Sequence, residues 1–110
     1  MLNDEMGYKL IRLFSTNTEI SQRAAARELG ISLGRLNYCV RALVAKGLIK
    51  AKRFKNSNNK AAYMYLLTAR GIDAKATLAL RFLEVKVREY EKLRGEIDEI
   101  RRESEGLPPP

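Results

Sequence analysis

Apolar residues recur at helical spacing early in the chain, alternate in its middle and return to helical spacing over its last third. Met6, Leu10, Leu13 and Phe14 fall on one side of the segment from about Asp4 to Ser15, which predicts a covering helix. Ser15, Thr16 and Asn17 break it. Thr18 to Ile20 then read as a short extended lead-in, with Ile20 placed as a hydrophobic staple beside Ser21. The next stretch, SQRAAARELGISLGRLNYCVRALVAKG, holds two helices. Ser21 caps the first, about Ser21 to Leu29, and Gly30 ends it; Ser32 caps the second, about Ser32 to Lys46, and Gly47 ends it. The residues between them, chiefly Gly30 and Ile31, match the short glycine-containing turn of a helix-turn-helix.

After Gly47 the pattern becomes that of strands. LIKAKRF and AAYMYLL flank the polar segment Lys55 to Lys60, which predicts a hairpin. From Thr68, a plausible cap, the helical period returns. Ile72, Ala76, Ala79, Leu83, Lys86, Tyr90, Leu93, Ile97 and Ile100 alternate spacings of four and three, a heptad seam with one polar member. Some 35 residues of helix reach about 50 Å, more than the small domain before them can cover, so the seam calls for a partner helix. A second copy of the chain is the simplest supplier. The predicted class is mainly α (α+β): a winged helix-turn-helix with a two-stranded wing and a long C-terminal dimerisation helix. Residues 1–67 form the winged domain and 68–105 the long helix, with 106–110, GLPPP, as a disordered tail.

The second helix has two faces. Leu36, Val40 and Leu43, widened by Cys39 and Val44, form the packing stripe. Ser32 at its start and Leu33, Gly34, Arg35, Asn37, Tyr38 and Arg41 across from the stripe are left for other work. Arginine can bridge guanine O6 and N7, asparagine can bridge adenine N6 and N7, and Tyr38 can meet a phosphate or a thymine methyl. Ser32, Gly34, Arg35, Asn37, Tyr38 and Arg41 are therefore the candidates for reading bases, and the other reading of this face is plain solvation. Gln22 and Arg23 stand at a helix N-terminus, where N–H groups favour a phosphate or are simply solvated. Arg53, Lys55, Asn56 and Lys60 are the wing candidates for backbone or minor-groove contact.

Charge sharpens this picture. The net charge is +8. Residues 1–28 hold four acids and four bases, residues 29–72 nine bases and no acid, and residues 73–110 nine acids and eight bases. The whole excess sits on the second helix of the pair and on the hairpin, as neutralising phosphates requires. A membrane surface fits less well, because the basic segment holds no strongly amphipathic helix with bulky apolar residues. A single cysteine suits a reducing compartment, and the amino terminus lacks a signal pattern, which together predict a cytoplasmic protein. The chain has no histidine, and Cys39 lies on a packing face. Neither enzyme chemistry, a metal site nor a cofactor has the residues it needs. Cys39 reads as buried structural thiol or as a redox sensor beside Arg35 and Arg41.

Two segments carry a family resemblance. LNYCVRALVAKGLIKAKRF runs a reading helix through Lys46-Gly47-Leu48-Ile49 into a wing strand, and Leu67-Thr68-Ala69-Arg70-Gly71 joins the second wing strand to the long helix. In these the chain resembles the MarR-type winged-helix transcriptional regulators, and most of all a short subfamily linked to exopolysaccharide gene clusters. The resemblance covers about residues 5 to 105. It implies a homodimer on operator DNA with Gly34 to Arg41 in the major groove. Larger members carry an additional N-terminal dimerisation helix and often a ligand pocket beside it. This chain has no room for that helix, which leaves a small-molecule effector doubtful and gives dimerisation to Ala79, Leu83, Lys86, Tyr90, Leu93, Ile97 and Ile100. The family's acidic-x-basic wing pair is also missing, with Asn59, Lys60 and Ala61 near its place. The rival reading is a winged helix that binds protein, its long helix pairing with a different chain.

Overall fold

The computed structural model describes residues 2–55 and 61–106. Its elements are α1 (Asp4–Thr16), α2 (Gln22–Leu29), α3 (Leu33–Ala45), β1 (Ile49–Lys55), β2 (Ala61–Leu67) and α4 (Ala69–Glu105). Each helix starts on a side-chain cap that accepts a first-turn N–H. Asn3 accepts from Met6 at 2.8 Å, Ser21 from Ala24 at 3.0 Å, Ser32 from Arg35 at 3.1 Å and Thr68 from Gly71 at 3.0 Å. Gly30 (φ 69°) and Gly47 (φ 73°) adopt the left-handed conformation. That turn lets the Ile31 N–H reach the Ala26 carbonyl and the Leu48 N–H reach the Leu43 carbonyl, which closes the ends of α2 and α3.

The core gathers one face from each helix of the trihelical unit. Leu10, Ile11 and Phe14 of α1 meet Ala25 and Ala26 of α2 and Leu36, Cys39, Val40 and Leu43 of α3, with Ile49 and Tyr65 closing it from the wing. The rings of Phe14 and Tyr65 pack at a tilt of 37°, 4.9 Å between centres. β1 and β2 pair antiparallel from Ile49↔Leu67 to Lys55↔Ala61. The segment from Thr18 to Ile20, expected to be extended, instead turns, but it still gives β2 one neighbour: the Tyr65 N–H donates to the Thr18 carbonyl at 2.9 Å. The chain thus has the winged helix-turn-helix architecture expected from its sequence.

α4 leaves this unit at a fixed angle. The Thr68 hydroxyl donates to the Gly47 carbonyl and its N–H donates to the Leu48 carbonyl, at 3.1 Å for the latter. One face of the proximal half then runs along α1. Leu78 lies 3.7 Å from where a β-carbon on Gly7 would stand, Phe82 stacks on Tyr8 at 5.4 Å, and Lys75 donates to the Ser15 hydroxyl at 3.1 Å. This face differs from the heptad seam. Ile72, Leu83, Tyr90, Leu93, Ile97 and Ile100 are exposed, as are Lys86 and the flanking Leu80, Val85 and Val87, while Ala79 is half-buried. The sequence pattern had not separated the two faces. At 37 residues, α4 is about 55 Å long. The expected tail falls, from residue 107 on, outside the described residues.

Candidate nucleic-acid interface

α3 is held from one side only. Its buried stripe is Leu36, Cys39, Val40 and Leu43. Val44, expected to widen that stripe, is 41% exposed. It lies one turn past Val40 on the side facing the wing, where no described residue covers it fully. With Gln22, Val40, Arg41, Ala45, Ala51, Tyr63 and Tyr65 it lines a groove of about 430 Å³ between α3 and the hairpin.

The opposite side of α3 carries the predicted reading residues together. Ser32, Gly34, Arg35, Asn37, Tyr38 and Arg41 are all exposed, Tyr38 at 55%. Arg35 and Arg41 make no ion pair among the described residues. Ser32 spends its acceptor on the helix cap. Gly34, Asn37, Tyr38 and Arg41 border one shallow hollow along the helix. Gly34 has an ordinary helical φ, and a β-carbon there would meet nothing within 4 Å. Nothing among the described residues demands a glycine at this position, although it costs the helix about 1 kcal/mol relative to alanine.

The phosphate candidates divide. Arg23 is exposed in the first turn of α2. Gln22 is half-buried and engaged: its Nε2 donates to the Tyr65 hydroxyl at 2.9 Å, and its Oε1 accepts from Asn37 Nδ2 at 3.2 Å. This Tyr65–Gln22–Asn37 chain ties the wing, α2 and the reading face together. Asn37 keeps its second N–H and its carbonyl oxygen for an outside partner. Sequence reasoning named Gln22 and Asn37 separately and missed the link, because Tyr65 lies 43 residues away and only the fold brings it near.

On the wing, alternation puts Ala51 and Arg53 on the face toward the groove and Lys50 and Lys52 on the other. Arg53 sits over the Tyr63 ring, 5.8 Å from its centre. The side chain of Lys55 and all of Asn56 and Lys60 lie outside the described residues.

An exposed polar helix face, a helix-turn-helix behind it and a basic hairpin beside it form one continuous surface. Residues 3–50 match the family model described as winged helix-turn-helix DNA-binding. No curated protein matches the chain in sequence. Among solved structures, the winged helix resembles the PcaV transcriptional regulator of Streptomyces coelicolor in complex with its natural ligand. That pair has a TM-score of 0.63 and 16% identity, with 91% of this chain and 73% of that one covered. It also resembles a Mycobacterium tuberculosis MarR family protein complexed with p-aminosalicylic acid (TM-score 0.62, 20% identity, 90% and 74% covered). A third likeness is the adhesin competence repressor of Streptococcus pyogenes (TM-score 0.63, 16% identity, 87% and 67% covered). At such identities the likeness is one of fold, and it extends through the winged helix into α4.

Among the described residues no group of three or more His, Cys, Asp or Glu side chains is placed to hold a metal, and no helix is long and apolar enough to cross a membrane. Cys39 is fully buried.

Proposed function

We propose that this chain is a MarR-type transcriptional regulator that binds double-stranded DNA sequence-specifically as a homodimer. The observation that carries the reading is the outward face of α3. Arg35, Asn37, Tyr38 and Arg41 stand exposed around Gly34, in the one part of the chain where nine bases are met by no acid.

α3 enters the major groove with its N-terminal half leading. Gly34 lets the helix backbone approach the base edges or the sugar-phosphate chain closely. Arg35 and Arg41 take guanine O6 and N7, and Asn37 takes adenine through its free N–H and carbonyl. Arg23 at the start of α2 and Arg53, Lys55, Asn56 and Lys60 on the wing hold phosphates or the minor groove and so set the register of α3. Ser32 orients α3 by capping it, and Gln22 does so by holding Asn37. The α4 seam from Ala79 to Ile100 pairs two copies, so that two reading helices meet two half-sites. The protein acts in the cytoplasm, and no cofactor, metal or effector is part of the reading. Control of exopolysaccharide genes rests on the sequence resemblance alone.

Binding to a mixed duplex pool, measured as a function of salt, tests this directly. A steep fall of affinity with added salt, together with retention of a specific subset of duplexes, is the expected result. Failure to bind DNA at low salt would favour the protein-binding alternative, in which α4 pairs with another chain.

A further inference from the structure

Among the described residues, none packs over the outward face of the distal half of α4. Tyr90, Leu93, Ile97 and Ile100 point outward along one line, and Tyr90, Leu93, Arg94 and Ile97 border a hollow of about 300 Å³. In heptad terms Leu83, Tyr90 and Ile97 are a positions, and Lys86, Leu93 and Ile100 are d positions. The hollow is then lined by an a, a d, an e and the next a residue, with Asp98 at b and Arg101 at the next e beyond them. The first four form the hole that receives a d-position knob from a partner helix running the same way.

The flanks of the seam say which way the partner runs. The g positions of the distal half are Glu89, Glu96 and Glu103, all acids; the e positions are Arg94 and Arg101, both bases. In a parallel in-register pair, each g residue faces the partner's e residue five places on. Glu89 then meets Arg94 and Glu96 meets Arg101, twice each by symmetry. In an antiparallel pair g faces g and e faces e, which would set glutamate against glutamate and arginine against arginine. Arg94, Glu96 and Arg101 make no ion pair among the described residues, so they are free for a partner. Glu89 holds Lys86 at 3.2 Å, which draws that ammonium away from the seam axis. The proximal flank is compatible with the same pairing: Leu80 and Val87 at e are exposed and apolar, while Phe82 at g is already used against Tyr8.

We infer that α4 pairs with α4 of a second copy as a parallel, in-register coiled coil, closed by Glu89–Arg94 and Glu96–Arg101 pairs between the chains. The inference rests on the homodimer reading and adds its orientation. Both winged domains then stand at the same end of the coil, related by a two-fold axis along it. The coil's far end, near Ile100, projects away from the DNA.

The test uses two single-cysteine additions in the full chain, Leu83→Cys and Ile100→Cys, seated 17 residues or about 25 Å apart on the seam. Both native side chains are exposed in the single chain, so neither change touches the core. Arg102→Cys, on the outer face of α4, is the control. In a glutathione buffer, both seam variants should form disulfide-linked dimers at about tenfold or more the yield of the control, as a local effective concentration in the millimolar range dictates. Sedimentation of the unmodified protein reports the dimer independently. A dimer in which at most one of the two seam cysteines links to itself would overturn the parallel arrangement and leave the homodimer standing. A monomer by sedimentation would overturn both.

Discussion

Gly71 of α4 lies directly against the backbone carbonyl of Leu48, so close that a β-carbon on Gly71 would fall on the oxygen. The neighbour is backbone, held in turn by the Thr68 N–H, and cannot swing aside. This crossing fixes how the long helix leaves the wing. Gly71→Ala should destabilise the protein by about 2 kcal/mol or more through overpacking. Thermal unfolding at fixed protein concentration checks it, and a melting temperature within a degree of the parent would contradict the crossing.

Gly34 is the opposite case. It has room for a side chain and helical dihedrals, so Gly34→Ala should stabilise the folded chain by about 0.5–1 kcal/mol. The same methyl would stand on the face that meets DNA. Binding should weaken by about tenfold, equivalent to about 1.4 kcal/mol. A denaturation midpoint that rises while affinity falls is the expected signature. Affinity that rises with stability would remove Gly34 from the interface.

The Tyr65–Gln22–Asn37 chain predicts an indirect effect on specificity. Tyr65→Phe deletes the acceptor for Gln22 while keeping the ring on Phe14, and should cost about 1 kcal/mol of stability. With Gln22 released, Asn37 loses its orientation. Discrimination at the base pair it reads should fall, although Tyr65 itself is buried. Affinities for duplexes substituted one position at a time give the readout; an unchanged preference at every position would show that the chain of bonds does nothing for recognition.

Readers and anchors should separate on mutation. Arg35→Ala or Asn37→Ala should relax the preference at one position at a cost of about 1–3 kcal/mol. Arg53→Ala or Lys55→Ala should instead weaken all sequences alike and lower the salt slope by about one unit. The comparison needs binding curves at several salt concentrations for cognate and scrambled duplexes. Identical behaviour of all four variants would erase the division.

Much of this was legible in the sequence because local signals and the global fold agree. Ser21, Gly30, Ser32 and Gly47 mark helix ends by chemistry that needs no tertiary context, and all four do so in the structure. The polar face of α3 was equally plain, since Leu36, Val40 and Leu43 define its back. What was not legible depends on distant contacts. Val44 sits at helical spacing from Val40 and so reads as core, yet among the described residues it is left 41% exposed. The face of α4 carrying Leu78 and Phe82 is defined only by where α1 lies. Gly71 appeared as a motif residue without a reason until the Leu48 carbonyl was beside it.

On the proposed function, α3 reads sequence from a two-fold dimer. Selection of bound duplexes from a random DNA pool at moderate salt, followed by sequencing, tests it most directly. Enrichment of an inverted repeat whose half-sites lie about one helical turn apart is the expected result. Salt-sensitive binding with no enriched sequence would contradict it, leaving a protein that holds the DNA backbone without reading bases.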